Sequence, residues 1–434
     1  MTDVKSIECD VCVIGSGLAG MATALFAAAR GLSVAQVGHT GEIIFASGLL
    51  DLLSVYPVRE KRMWRDPWAA IDKMIGDMNE HPFVHIKKSD IKAAFDEILD
   101  ILKEAGLPYQ RRINRNSDIL TAMGTIKRTY AVPHTMWNGV LALEKKPACM
   151  IIGIRGLKGF SARQITAALR PDWPNLRAAS VSFPDMDQFS EVYTERMANA
   201  LLLPRNREKF AQIIRPLIKK SKFAGLPAIL GLHRTVEIIS HIEELVDVPL
   251  FEIPTMPPSV PGLRLKEAFE RSLRRRNVQY FATNRALKVL PAAEGHFETQ
   301  IGQNQIEHTV YTKGIILASG RFIGGGLHAD RQHIRESIFN LPVYQPANRA
   351  DWHRRDLLDP RGHLINRAGL KIDRTFRPVD DSGHPVFETL FAAGSILAHQ
   401  DWMRMKCGSG LAIATAFGAI KGTQSIILNE AAAT

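Results

Sequence analysis

Cysteine is scarce in this chain, with four in 434 residues, and that scarcity excludes a disulfide-built scaffold. Cys9 and Cys12 share a C-x-x-C spacing, but an odd separation within a strand points them to opposite faces, so they are not a metal pair. No cysteine cluster could hold an iron–sulfur centre, so any such centre used with this protein lies on a partner. No stretch approaches the ~18 uncharged apolar residues that a membrane-spanning helix requires. Nothing resembling a signal peptide precedes the first apolar run, and a cytoplasmic location is the expectation. Internal repeats and low-complexity segments are missing. Basic residues are not interleaved with aromatics in the manner of a nucleic-acid surface, so nucleic acid is not expected as a partner despite a net charge of +11. That excess leaves an anionic substrate, an acidic lipid surface or a partner protein to account for it. Its sharpest local run, Arg271 to Arg276, ends a helix-like segment, where cations suit the dipole.

Glycine is present where it matters. The apolar run Val11–Ile14 feeds into Gly15-Ser-Gly17-Leu-Ala-Gly20, an alanine-rich segment follows to Arg30 and Gly31, and a second apolar run begins at Leu32. Strand, tight turn, helix and strand in succession are what a dinucleotide or flavin fold requires. Gly15 permits the turn, Gly17 lets backbone approach a pyrophosphate, and Gly20 lets the helix lie close on the sheet. The helix N-terminus would then face the phosphates with its unpaired N–H groups. One part of the pattern is missing. The second strand, Leu32–Val37, is followed by Gly38-His39-Thr40, with no Asp or Glu where a carboxylate normally holds an adenosine ribose. Either other groups hold the adenosine or the ligand has none, and FMN fits the second case.

With 46% hydrophobic and 23% charged residues the chain can build two or three cores. The expected fold class is α/β: a Rossmann-like flavin-binding domain, a parallel sheet with helices, carrying an inserted α+β domain. The flavin domain is expected over residues 1–80 and 255–434, and the insertion over 81–254. Residues 89–108 read as one amphipathic helix ended by Gly106 and Pro108. Residues 118–136 read as sheet, 148–155 as a buried strand, and 226–253 as strand, helix, strand. The stretch Pro254-Thr-Met-Pro-Pro-Ser-Val-Pro261-Gly262 can be neither central strand nor helix interior, and reads as a stiff return from the insertion. A helix is expected from Leu263 to Arg276, then short strands at 278–290, 296–301 and 307–311. A separate strand at 314–320 ends in a glycine turn. A last strand closes at Gly394-Ser395, and a small-residue helix runs from Leu411 to Ile427.

The whole chain resembles the B subunit of the anaerobic glycerol-3-phosphate dehydrogenase. The resemblance is carried by Phe45-Ala-Ser-Gly-Leu-Leu-Asp-Leu-Leu53, Pro254 to Arg264, Leu317-Ala-Ser-Gly-Arg-Phe-Ile-Gly-Gly-Gly-Leu327, Ile334-Arg-Glu336 and Phe391-Ala-Ala-Gly-Ser395. The order of the three glycine sites also resembles two-domain flavoproteins of the fumarate-reductase superfamily. The resemblance implies a flavin subunit using FMN, with FAD as the alternative. It implies two partners, a larger FAD-containing catalytic subunit and an iron–sulfur subunit that docks to the membrane. The complex would oxidise sn-glycerol 3-phosphate to dihydroxyacetone phosphate and pass electrons toward quinone. Its place would be peripheral, at the inner face of the cytoplasmic membrane. Ser395 stands where the wider flavoprotein pattern commonly has an Asp on the ribityl hydroxyls, and a serine hydrogen-bonds there more weakly.

On this reading Gly15, Gly17, Leu18, Ala19 and Gly20 hold phosphate through backbone, and Ser47 and Gly48 line the phosphate or the ring. Ser319 and Gly320 end a parallel strand at the ligand edge, and Gly394 and Ser395 meet the ribityl chain. Gly408, Ser409, Gly410 and Leu411 bring a helix N-terminus, with its dipole, toward the pyrimidine end. For substrate phosphate and proton transfer the candidates are Arg264, Arg321, Arg335, His399, Arg404 and Lys406. No His–carboxylate pair declares itself, so no catalytic base is assigned and no metal site is expected. An electron-relaying subunit is weighed against a self-sufficient flavin dehydrogenase of the fumarate-reductase type acting on another small anion.

Overall fold

The long strand His308–Leu317 is the hub of the first of two units in the computed structural model, which describes residues 4–39 and 42–433. This unit comprises Met1–Glu42, Asp51–Ile98 and Glu270–Thr434. Lys5–Ile14 pairs with the hub in parallel along its whole length, Val34–Val37 pairs with Lys5–Ile14, and Gln279–Phe281 pairs with Val34–Val37. The other edge of the hub is shared. Its first half takes the antiparallel strand Phe297–Gly302, itself paired with Arg285–Pro291, and its last three residues take the parallel strand Leu390–Ala392. The expected strands at 307–311 and 314–320 are thus one strand. Gly314 does not break it. A Cβ at Gly314 would come 2.7 Å from Ile427 Cδ1, so the glycine makes room for the terminal helix.

That helix, Gly408–Ala433, and Leu18–Ala29 pack on each other through alanine-rich faces. Phe26 meets Phe417 edge to face at 5.2 Å, and the Arg30 guanidinium lies 4.7 Å from the Phe417 ring centre. Residues Ala19 to Ala27 are buried in one unbroken run, which a helix covered on every side requires.

The second unit comprises Ile43–Leu50 and Leu99–Phe269. Its sheet runs Leu176–Val181, Cys149–Ile154, Phe223–Pro227, Leu250–Ile253, all parallel. Numbered by chain position the order is 2-1-3-4, a doubly wound arrangement with helices on both faces. Two short antiparallel pairs accompany it, Tyr109–Arg111 with Ala131–Pro133 and Ser117–Leu120 with Ile126–Thr129. One core lies under Ala162–Leu169 around Ile151, Trp173 and Phe251, and another under Pro204–Ile218 and Thr235–Val246 around Phe210, Ile214 and Ile238.

The division differs from the expected 1–80, 81–254 and 255–434. Residues 81–98 go with the first unit because the helix Lys88–Glu104 is tied there by Glu97 to Arg30 at 3.0 Å and by Asp90 to Lys421 at 2.9 Å. Residues 43–50 and 255–269 go together with the second. Ser259 Oγ donates to the Ala46 carbonyl at 2.7 Å, and a Cβ on Gly262 would strike the Ile44 carbonyl oxygen at 2.5 Å. The proline-rich return is short, because Val260–Arg275 is already helical, with Pro261 in the first turn where its missing N–H costs nothing. Among the described residues no helix is long and apolar enough to cross a membrane.

Candidate functional site

Parallel strands in the first unit end on one line. Ile14 sits opposite both Val37 and Leu317, Leu317 opposite Ala392, and Val37 opposite Phe281. The turns that follow emerge together from the carboxyl edge of the sheet, where open α/β sheets bind ligands.

The first turn is built of glycines for separate steric reasons. Gly15 has φ +132°, and a Cβ on it would lie 2.1 Å from the Ala318 carbonyl oxygen. A Cβ on Gly20 would lie 2.1 Å from the Gly15 carbonyl oxygen, so the helix can pack this close only with glycine there. Gly17 is different. It is the N-cap of Leu18–Ala29, no side chain caps the helix, no acid occupies its first turn, and a Cβ would meet nothing within 4 Å. This is open space in front of the positive end of a helix dipole.

Sequence reasoning missed the group beneath the turn. Gln36 is fully buried in the second strand, and its Nε2 donates to the Gly15 carbonyl at 2.9 Å. A lone polar residue in an otherwise apolar strand was the available signal. Gly38 also closes on the turn, since a Cβ there would lie 2.6 Å from Ser16 N.

Ala318 N–H donates to the Ile14 carbonyl at 2.8 Å, and Ala393 N–H to the Leu317 carbonyl at 2.9 Å. These bonds carry the ladder past the strand ends and bring the later glycine sites to the first. Gly394, at φ +82°, faces Ala19, whose Cβ would be 2.5 Å from a Gly394 Cβ. Gly320, at φ +71°, faces Ser395, whose Oγ lies 3.7 Å from a Cβ built on it. Ser319 Oγ is shielded from solvent and has no partner. The Gly394 N–H donates to Thr415 Oγ1 at 2.8 Å, and that hydroxyl donates to the Leu411 carbonyl at 2.5 Å, which fastens this turn to the terminal helix. Gly15, Gly17, Leu18, Ala19, Gly20, Ser319, Gly320, Gly394 and Ser395 therefore share one cradle.

The terminal helix begins at Gly408. Gly410 N–H donates to the Asp51 carbonyl at 2.6 Å, and a Cβ there would strike the Leu52 carbonyl oxygen at the same distance. Leu411 N–H donates to the Cys407 carbonyl, and Gly408 packs on the Trp402 ring. The glycines at 408 and 410 serve packing, and the Gly410 donor is already committed. Ser47 and Gly48 belong to the second unit. There Gly48 has φ +80°, packs on Pro261, and accepts from Tyr109 Oη at 2.7 Å.

The candidate cations separate. Arg264 does not wait for a substrate. Its side chain is 2% exposed, Nη1 and Nη2 donate to the Glu252 carboxylate at 2.5 and 2.8 Å, and Nε donates to the Gly231 carbonyl at 2.7 Å. It is a pin inside the second unit. Arg321 donates to the Asn366 carbonyl, Arg335 is exposed on a short strand 3.7 Å from Asp330, and Arg404 lies 3.5 Å from Asp401. Lys406 is the left-handed cap of Trp402–Met405.

His399 is the candidate with unusual surroundings. It holds φ +62°, its ring lies 4.1 Å from that of Tyr344, Nδ1 is 3.5 Å from Glu80, and Nε2 is buried without a partner. Burial holds its pKa below the ordinary histidine range; Lys371 and Arg367 add to this and Glu80 opposes it. His81 was not singled out by sequence. It is fully buried, its Nδ1 accepts from Phe83 N–H at 3.1 Å, and its Nε2 has no partner. Burial, with the charges of His399 and Arg367, pushes its pKa down to about 3. Both imidazoles thus carry a buried Nε2 without a partner. Among the described residues no group of side chains could hold a metal ion. Cys12 is buried and Cys9 half-buried, and burial raises both thiols, Cys9 to about 12, so neither is reactive.

Comparison with known proteins gives this cradle a family. The model of the FAD binding domain family matches residues 10–411, and the chain belongs to that family. Over most of its length the chain is similar to proteins named as the B subunit of anaerobic glycerol-3-phosphate dehydrogenase. It is 27% identical to that of Yersinia pseudotuberculosis over 417 residues, covering 94% of this chain and 96% of the relative. It is 26% identical to that of Aliivibrio fischeri over 438 residues, covering 94% of each. Among solved structures it is similar to 3-ketosteroid delta1-dehydrogenase from Sterolibacterium denitrificans at 13% identity and TM-score 0.44, covering 97% and 100% of the two chains. It is also similar to the E. coli quinol fumarate reductase FrdA at 10% identity and TM-score 0.42, covering 99% and 72%. The residues present fit a flavin. Open space over Gly17, a bare helix N-terminus and the unpartnered Ser319 hydroxyl are polar and steric provisions that packing alone leaves unexplained.

Proposed function

We propose that this protein is the flavin-carrying B subunit of an anaerobic glycerol-3-phosphate dehydrogenase complex. The complex oxidises sn-glycerol 3-phosphate to dihydroxyacetone phosphate and passes electrons toward quinone. It includes a larger FAD-containing subunit and an iron–sulfur subunit, and through them sits at the inner face of the cytoplasmic membrane. The observation that carries this reading is similarity to relatives of that name over 94% of the chain, extending across both units.

The flavin, when bound, supplies hydride or electron acceptance. The chain's own residues bind and orient it. The Gly15–Gly20 backbone would meet phosphate, Ser319 Oγ would donate to a polar ligand atom, and Gly394 and Ser395 would lie along the ribityl chain. Membership of the FAD binding domain family favours FAD over the FMN that the missing carboxylate after Val37 suggested. The buried Gln36 under Gly15 and the Gly38–Ser16 closure hold the turn in shape.

His81 and His399 favour one further reading, that this subunit itself handles a substrate proton rather than only relaying electrons. The two outcomes separate in one experiment. The chain is purified alone and with its partners, its flavin is released by heat and identified by mass spectrometry, and bleaching by sn-glycerol 3-phosphate is timed. Bleaching only in the complex supports the relay role, and bleaching by the isolated chain at the rate of the complex supports direct catalysis. A chain without flavin even when made with its partners overturns the proposal.

A further inference from the structure

Two leucines stand out at the surface of the first unit. Leu357 is 80% and Leu358 86% exposed, and neither is part of the cradle. Their loop is ordered by its own polar contacts. His363 Nδ1 accepts from the Arg354 N–H at 3.0 Å while its Nε2 bonds the Leu357 carbonyl at 3.0 Å, and Arg354 Nε donates to the Gly362 carbonyl at 3.0 Å. Asp359, nearly buried, accepts from the Arg361 N–H at 2.9 Å and pairs with its guanidinium at 2.7 Å. The loop is thus held closed with its two largest apolar side chains outside.

Neighbouring segments are laced to it. Ile365 N–H donates to the Trp352 carbonyl at 3.2 Å, and Arg321 donates to the Asn366 carbonyl. From these segments Ile323 is 90% and Leu364 37% exposed. Around them the charge is basic. Residues 321–367 hold eight arginines against five acids. Asp359 pairs with Arg361, Asp330 lies beside Arg335 and Glu336 is buried on backbone amides, which leaves six arginines against Asp351 and Asp356. Apolar tips in an arginine collar are unfavourable in water and self-repelling toward a second copy, but match an anionic interface with an apolar interior.

We propose that the Leu357–Leu358 loop is a membrane-surface contact of this subunit, inserting its leucines among the acyl chains of an anionic lipid leaflet while the exposed Arg349 and Arg355 meet the headgroups. The site is separate from the flavin cradle and does not depend on the reaction assigned above. The test is co-sedimentation of the full flavin-loaded chain with phosphatidylcholine vesicles, with and without phosphatidylglycerol. Binding is expected only with phosphatidylglycerol, and is expected to fall with added salt. The double substitution Leu357→Ser and Leu358→Ser is expected to weaken it by about tenfold or more, with flavin content unchanged. Arg355→Ala should weaken it less and reduce its salt dependence. Absence of binding to anionic vesicles overturns the proposal, and so does a double variant that binds like the parent, which would assign the attraction to diffuse charge. If vesicles do not bind but the double variant no longer assembles with the partner subunits, the loop is a protein contact and the lipid proposal fails.

Discussion

Replacing Arg264 by Met should turn a stabilising carboxylate into a destabilising one, and the change should be visible as a reversed pH dependence. Glu252 is fully buried and accepts four hydrogen bonds, from Arg264 Nη1 and Nη2, Thr135 Oγ1 at 2.6 Å and Leu230 N–H at 2.6 Å. Burial pushes its pKa up, but the charge and hydrogen bonds of Arg264 outweigh this and hold it below the ordinary 4.5. In the parent protein this group therefore contributes stability that is present above about pH 4.5 and is lost as pH falls through the depressed value. Without Arg264 the burial effect, the largest of the influences on this group, is opposed only by the Thr135 and Leu230 hydrogen bonds, and the folded pKa should rise above the unfolded one. The contribution then has the opposite sign, with stability fullest at low pH and declining as pH rises past 4.5.

Removing one member of such a pair costs about 3–5 kcal/mol. Urea unfolding of Arg264→Met followed by circular dichroism should show that loss near neutrality and a smaller one in acid. The double variant Glu252→Gln with Arg264→Met keeps an amide oxygen to accept from Leu230 N–H, offers its NH2 to the Thr135 hydroxyl, which can accept as well as donate, and leaves no buried charge, so it should recover most of the loss. It should also retain turnover in the reconstituted complex, because Arg264 is committed inside the second unit. An Arg264→Met protein as stable as the parent, or with the same pH slope, would refute the reasoning. A double variant that is stable yet dead in turnover would return Arg264 to the list of substrate ligands.

Three further outcomes are expected. Gly394→Ala places a Cβ 2.5 Å from that of Ala19 at φ +82°, a strain of about 1–3 kcal/mol, so the ratio of flavin to purified protein should fall severalfold with far-ultraviolet circular dichroism retained; unchanged flavin content would mean the turn is not at the ligand. Ser319→Ala should leave the flavin-free protein as stable as the parent, because the hydroxyl has no protein partner, while shortening flavin retention during dialysis; a loss of stability without flavin would show that the hydroxyl serves the fold instead. His81 has a folded pKa of about 3 against an ordinary 6.5, so the unfolded chain binds the extra proton between those values. Stability should be full above about pH 6.5 and fall by about 1.4 kcal/mol per pH unit below it. His81→Gln should remove that part of the slope, and an unaltered slope would locate acid sensitivity elsewhere.

Much of the cradle was legible in the sequence because a tight turn is a local demand. Gly15, Gly20, Gly320 and Gly394 each occupy a backbone conformation or a close approach that only glycine tolerates, and this leaves a mark at the position itself. Gly408 and Gly410 carry the same mark for another reason. Their missing side chains admit Trp402 and the Asp51–Leu52 backbone, and a glycine cannot announce whether a ligand or a neighbour fills the space it leaves. The compact units differ from the boundaries expected from sequence for a related reason. A proline-rich stretch reads as a seam, yet Ser259 and Gly262 bind that stretch to residues 44–46, more than two hundred positions away.

The chemistry of Arg264 and His81 was illegible for a deeper reason. An arginine's role depends on what faces it, and Glu252, which takes up Arg264, is read in the sequence only as one charge in the apolar strand Leu250–Ile253. That charge was itself the clue. A carboxylate buried in a parallel strand must be paired or neutralised, so a cation had to come from elsewhere in the fold, and Arg264 was the arginine nearest in the following helix. Gln36 obeys the same logic, since a buried amide in a strand that ends at a glycine turn must bond the turn or lie unsatisfied. His81 obeys it in reverse. Its Nε2 is buried and finds nothing, and a polar atom left open at that cost is expected where something other than the chain completes it. The rule that separates the three is whether the fold closes the polar group on itself. Arg264 is bonded through Nε, Nη1 and Nη2 and belongs to structure, and Gln36 stands between, with Nε2 bonded to the turn and Oε1 buried without a partner. His81, His399 and Ser319 have inner atoms without partners, and these are the side chains at which substitution should alter binding or proton transfer before it alters the fold.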